Sequence, residues 1–318
     1  MEKKKEVQPI FIISLPRSGS TLLQRILMSH KEIESVAEPW IMLPLIYGNK
    51  KQGIYTEYNQ VTCHKGIMDF IGNLPRRRKD YNSELSKFTL RLYSLQCSGN
   101  KKYFLDKTPR YYLIVEELAE LFPNGKFIFL FRNPVAVMSS IMETWHNGKM
   151  RFGNNNIDLF EGPERLAKGA VKLKKKSLFI SYEDLVSNPE HETERICNYL
   201  NVRCEKDMVL NFSKTKLNGR LGDVKTQKNK IQKNITPKWK KALNTNFRKR
   251  YAIRYLEFIG DKNLKIMGYE KKELEDSIRQ VPARIRIFQF DRINLFFNKM
   301  YFILRPRIVN FLFRNKSD

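Results

Sequence analysis

Apolar residues in this chain come in short bunches whose period changes along the sequence. Pro9 to Ser14 is a compact apolar run closed by small and turn-forming residues, after which Leu22, Leu23, Ile26 and Leu27 recur at helical spacing. That pattern predicts strand, loop and helix. Lys126-Phe127-Ile128-Phe129-Leu130-Phe131 is continuously apolar after its lysine, as a strand buried on both faces should be, and Arg132-Asn133-Pro134 opens a helix behind it. Strands are also expected at 103–105 and 178–181, and helices at 111–122 and 189–200. Strands alternating with helices predict an α/β fold, a parallel sheet with right-handed crossovers and helices on both faces. Ligands of such sheets bind outside the carboxyl ends of the strands, where both polar loops would lie.

The length of 318 residues suits one catalytic domain, expected over 8–270, with a basic helical extension over 281–318. In that extension Ile, Phe, Leu and Tyr are mixed with Arg284, Arg286, Arg292, Lys299, Arg305 and Arg307. Such an amphipathic segment serves either the protein's own core, the commoner use, or a membrane surface or partner.

Charge adds a preference for anions. The net charge of +26 is compatible with anionic ligands, membrane surfaces or nucleic acid and does not choose among them. Fifteen Lys and Arg stand against three acids between 205 and 254, so the excess is local and hints at an anionic acceptor. The basic stretch 214–241 reads as a mobile excursion, and no sequence-specific nucleic-acid partner is expected. Cys63, Cys97, Cys197 and Cys204 form no CxxC pair and share no metal-finger spacing with the four histidines, so free thiols and no metal are expected. The apolar stretch 10–14 is too brief for a signal-peptide core or a membrane span. The expected location is a reducing cytoplasm, with peripheral membrane contact through the C-terminal segment as an added alternative.

The loop after the first strand carries the chemistry. Across the eight positions of a GxxxxGK[ST] phosphate loop this chain reads Ser14-Leu15-Pro16-Arg17-Ser18-Gly19-Ser20-Thr21. The second glycine and the last hydroxyl are present, while Ser20 replaces the lysine, which argues against ATP or GTP. What remains is an anion cradle: backbone donors at a helix N-terminus, the hydroxyls of Ser18, Ser20 and Thr21, and the cation Arg17. The competing reading is an ordinary Ser-capped helix start.

The string Pro16-Arg17-Ser18-Gly19-Ser20-Thr21-Leu22-Leu23 resembles the 5′-phosphosulfate loop of sulfotransferases that use 3′-phosphoadenosine-5′-phosphosulfate (PAPS). The form is that of tyrosylprotein sulfotransferases and many bacterial relatives. Arg132 and Ser140, eight residues apart across a strand-to-helix junction, are similar to the Arg and Ser that bind the donor's 3′-phosphate in this family. The resemblance is clear over about residues 8 to 200 and implies a P-loop-like fold. It also implies transfer of a sulfuryl group to an acceptor hydroxyl on a glycan, a lipid-linked or small molecule, or a peptide tyrosine, with release of adenosine-3′,5′-bisphosphate.

Sulfuryl transfer needs a base for the acceptor proton, a cation for the leaving oxygen and donors for the sulfonate. The resemblance gives the base to Glu38, in Ala37-Glu38-Pro39-Trp40, and the leaving-group cation to Lys107, in Asp106-Lys107-Thr108-Pro109, with Arg17 also at the reacting centre. A structural ion pair is the alternative use of Glu38. Cytosolic small-molecule sulfotransferases carry a histidine after the Lys-Thr pair, where this chain has Pro109, and that strengthens Glu38. Tyr182 resembles a nucleotide-contacting tyrosine, Lys238-Trp239 a segment closing over the 3′-phosphate, and Thr226 a further phosphate contact. Thr144 departs from the tyrosine-modifying branch, which has arginine there. Among the histidines, His146 is the spare candidate for an acceptor-side role and His30 reads as a packing residue. Two other classes compete: a P-loop kinase or nucleotide-binding protein using ATP, and a noncatalytic protein binding nucleic acid or membrane through basic patches.

Overall fold

The computed structural model describes residues 6–222, 231, 238–283 and 290–297 of the chain. They fall into two compact units, one of residues 1–131 with 168–234, the other of 132–167 with 235–318.

The first unit is built on five parallel strands, β1 (Gln8–Ser14), β2 (Ile33–Ser35), β3 (Tyr103–Asp106), β4 (Lys126–Phe131) and β5 (Ser177–Ser181), in the order β2-β3-β1-β4-β5. β1 is central, with successive crossovers leading to both sides of it, so its carboxyl end is the point where strand order reverses. Side chains alternate across the sheet with period two. Ile10, Ile12, Leu105, Ile128, Leu130 and Ile180 face one way, against Leu23, Ile26 and Leu27 of α1 (Ser20–Met28) and Ile196 and Leu200 of the helix Pro189–Leu200. Phe11, Phe104 and Phe127 face the other way and meet rings: Phe11 packs on Tyr111, Phe122 and Phe127, and Phe104 stacks on Tyr93 at 4.4 Å. Both faces are dry, which is why the strands read as unbroken apolar runs.

The expected elements at 9–14, 103–105, 126–131, 178–181 and 189–200 all form. The helix expected over 111–122 is interrupted: a 3₁₀ turn occupies Tyr111–Leu113, and α-helix resumes at Val115–Leu121 after Ile114 leaves helical geometry at φ −136°. Elements not expected from the sequence include β2 and the helices Gly162–Lys172, Met42–Tyr47, Gln60–Gly72 and Arg78–Gln96. The last buries only Thr89, Tyr93 and Ser94, so its apolar stripe is too thin to register in the pattern.

The second unit is helical. It contains Pro134–His146, Lys238–Ala242, Asn246–Ile259, Asp261–Ile266, Lys271–Arg279 and a helix over 290–297, packed around Ile141, Met142, Phe152, Leu243, Leu256 and Ile278. The expected extension over 281–318 is therefore described only at 281–283 and 290–297, and most of the 223–237 stretch also lies outside the described residues. No described helix is long and apolar enough to cross a membrane.

Candidate functional site

Glu38 and Lys107 meet because they leave the same end of adjacent parallel strands. Ser35, the last residue of β2, is in register with Leu105 of β3, and Glu38 and Lys107 follow three and two residues later. Lys107 Nζ donates to Glu38 Oε1 at 2.9 Å and lies 3.5 Å from Thr21 Oγ1 in the first turn of α1. The end of β2 is tied on both sides: Gln24 of α1 donates to Ser35 Oγ at 2.8 Å and to the Val36 carbonyl at 2.7 Å, and Ser35 Oγ donates to the Leu105 carbonyl at 2.6 Å. One side chain from α1 thus fixes the approach to Glu38, and β3 fixes the approach to Lys107.

A buried carboxylate sets the orientation of the pair. Asp106 is fully buried and accepts from Tyr93 Oη at 2.6 Å, Tyr111 Oη at 2.7 Å and Thr108 Oγ1 at 2.9 Å. Burial pushes its carboxyl above the usual range, opposed by those hydroxyls and by the Lys107 charge. Burial, with the Asp106 charge beside them, holds both tyrosines well above their ordinary values, so they remain donors. Thr108 Oγ1 in turn accepts from the Trp40 backbone at 3.1 Å, and the Trp40 indole donates to Glu38 Oε2 at 3.1 Å. Trp40 sits at φ +58°, a strained conformation for a bulky residue, and these two bonds hold it there. Each Glu38 oxygen has one fixed donor, and a carboxylate accepting two bonds retains acceptor capacity for a third.

The loop 15–21 lies at the carboxyl end of β1. The N-cap of α1 is Gly19, with no side-chain cap, so the Ser-capped reading fails and the first-turn N–H groups are not satisfied by a capping side chain. Gly19 is at φ +90°, and a Cβ there would lie 2.3 Å from the Tyr182 ring. Only glycine allows Tyr182, the first residue of the helix Tyr182–Ser187, to pack this close to the loop. Arg17 is also left-handed, at φ +65°, a conformation that costs a non-glycine residue energy and recurs at ligand sites. Ser18 and Ser20 are buried, whereas Arg17, Thr21, Leu22 and Tyr182 are half-buried.

One contributor was missed from the sequence. Leu217–Gly222 lies against the site: Ala37 N donates to the Asn218 carbonyl at 3.0 Å, and a Cβ on Gly222 would be 3.4 Å from Glu38 Oε1 and 3.5 Å from Lys107 Nζ. Gly219, at φ +139°, would place a Cβ 2.6 Å from that of Ala37. The signal was present as two glycines three apart in a basic stretch, but nothing local said what they would approach.

Arg132, Ser140 and Lys238 belong to the second unit. Arg132 follows β4 directly, Asn133 caps the next helix by accepting from the Val135 and Ala136 backbones at 2.9 and 3.3 Å, and Ser140 is half-buried in that helix. Lys238 is exposed at the start of its helix, beside the buried Trp239. Thr226 lies outside the described residues. His146 bonds the Asn155 side chain at 3.0 Å, and His30 is buried with Nε2 3.0 Å from the Arg203 carbonyl. Among the described residues, no group of three His, Cys, Asp or Glu is placed to hold a metal ion.

Residues 9–206 match the sulfotransferase family. The nodulation protein NoeE of Sinorhizobium fredii (strain NGR234) is 32% identical over 149 residues, 44% of this chain and 33% of that protein. The protein-tyrosine sulfotransferase of Drosophila melanogaster is 23% identical over 208 residues, 62% of this chain and 39% of that protein. The chain thus matches well under half the length of either relative. Among solved structures, the sulfotransferase domain from the curacin biosynthetic pathway aligns with a TM-score of 0.49 at 23% identity, over 74% of this chain and 90% of that one.

Proposed function

The chain belongs to the sulfotransferase family, and on that premise we propose that it transfers a sulfuryl group from PAPS to an acceptor hydroxyl with Glu38 as base. The observation that carries the reading is the convergence of Glu38 Oε1, Lys107 Nζ and Thr21 Oγ1 at the mouth of the anion loop. A proton acceptor, a cation and an anion-binding helix start lie within a few ångströms of one another, as in-line transfer to an oxygen requires.

In this scheme the acceptor oxygen attacks sulfur and its proton passes to Glu38. The bond from sulfur to the bridging oxygen breaks, and that oxygen leaves with adenosine-3′,5′-bisphosphate. Lys107 stabilises the charge growing on it, and Arg17 with the loop N–H groups holds the 5′-phosphosulfate. Tyr182 lines the loop where the nucleotide enters. Arg132 and Ser140 are assigned to the 3′-phosphate, with Lys238 a further contact. These steps require no metal. The acceptor is a hydroxyl; a peptide tyrosine is one class to try, since one relative is named for that substrate, and a saccharide is another.

The test compares ligands by thermal shift. Adenosine-3′,5′-bisphosphate without metal should raise the melting temperature, by the equivalent of about 2.7 kcal/mol at a hundredfold excess over Kd. Stabilisation by ATP with Mg²⁺ and none by the bisphosphate would reject the reading in favour of a kinase. Labelled PAPS offered with peptide-tyrosine and saccharide pools then identifies the acceptor class.

A further inference from the structure

The helix over residues 290–297 docks through Asp291 and Asn294, with Leu295 half-buried, and leaves its other large apolar side chains exposed. Asp291 accepts two bonds from Arg248, at 2.7 and 3.0 Å, and Asn294 Oδ1 accepts from Arg151 Nε at 3.0 Å. Arg248 is braced in its turn by the carbonyls of Ala242 at 3.0 Å and Gly148 at 2.8 Å. Arg292 lies over the Phe247 ring at 5.5 Å. All these contacts lie within the second unit. On the other side Phe290, Ile293, Phe296 and Phe297 share one face of the helix and are 66, 47, 61 and 64% exposed.

A helix of a soluble domain normally buries such a face, and four large apolar side chains side by side form a patch rather than scattered exposure. The charge of this segment in the sequence says what would cover it. Residues 281–318 carry eight Lys and Arg against two Asp, and one of those, Asp291, is neutralised by Arg248. A second copy of this chain, itself at +26, would meet like charge there. An anionic lipid surface supplies both a hydrophobic layer for the rings and negative headgroups for the exposed Arg292 and for the net positive charge of the segment. The described residues of the helix carry their exposed apolar side chains on one face only, the pattern of contact in the interface plane.

We propose that the Phe290, Ile293, Phe296 and Phe297 face seats this protein on an anionic membrane surface. The experiment is co-sedimentation of the full chain with vesicles of phosphatidylcholine alone or with about 30% phosphatidylserine. The wild type should bind the anionic vesicles, less so as salt rises, and leave neutral vesicles largely unbound. Phe296→Glu with Phe297→Glu should weaken binding at least about tenfold with an unchanged melting temperature, because both rings are exposed. Ile293→Glu alone provides a second, milder probe should the double variant melt early. The proposal is overturned if the wild type ignores anionic vesicles or if the variants bind as tightly as it does. It is equally overturned if light scattering shows a dimer that the variants dissolve while vesicle binding is absent. None of these outcomes depends on sulfuryl transfer.

Discussion

Lys107 Nζ donates to Glu38 Oε1 at 2.9 Å across 69 residues of sequence, and both groups are almost withdrawn from water, at 2 and 12% exposure. A pair this sheltered is held by its surroundings and not by its own attraction, since desolvation offsets much of the Coulomb gain. The surroundings are identifiable: Gln24 and Ser35 on the Glu38 side, Asp106 and Thr108 on the Lys107 side.

Glu38→Gln keeps the shape, offers one acceptor oxygen where Glu38 offers two to Lys107 and Trp40, and cannot take a proton at working pH. Its turnover should fall by about 10²- to 10⁴-fold, while the thermal shift given by adenosine-3′,5′-bisphosphate is retained. Turnover within a factor of two of wild type would remove Glu38 as the base.

Trp40→Phe deletes the indole donor to Glu38 Oε2 and leaves the Trp40 backbone bond to Thr108 in place. The indole is a positioning group, so kcat should drop by about tenfold with little change in the KM for donor. Equal losses in donor affinity would mean that the ring packs on the nucleotide instead.

Gly19→Ala places a Cβ 2.3 Å from the Tyr182 ring at a φ of +90°. The expected cost is about 1–3 kcal/mol of stability, read by urea unfolding, with loss of the bisphosphate thermal shift. Gly19→Ala combined with Tyr182→Ala should recover part of the stability, because it removes the clash and leaves the backbone strain.

Asp106→Asn tests the buried carboxylate through pH. Its folded pKa is raised, so between the ordinary carboxylate value and the raised one the native state binds more protons than the unfolded chain. Stability from this group is therefore greatest below that window and declines as pH rises through it. Urea unfolding from about pH 4 upward should show that downward contribution in the wild type and its absence in the variant. Parallel curves would mean that Asp106 titrates normally.

Much of the fold was legible in advance where burial makes a repeating pattern. β1, β4 and β5 and the helix Pro189–Leu200 could be read from period and from Gly and Pro punctuation. β2 could not, being three residues long, and the 3₁₀ interruption after Thr108 follows from Tyr111 turning inward to Asp106, a contact no local window contains. Leu217–Gly222 was missed for the same reason: its glycines are required by Ala37 and by the pair beneath them, distant in sequence.

The loop 15–21, the family and the residue types available for the chemistry were legible in the sequence alone, because they depend on order and spacing along strand–loop–helix junctions. It took the packed chain to show that Glu38 and Lys107 share a hydrogen bond, that Gly19 lies under Tyr182, and that the helix over 290–297 leaves its phenylalanines exposed. Each of these depends on which strands lie side by side or which face of a helix is docked, and strand order and docking are set by packing summed over the whole core.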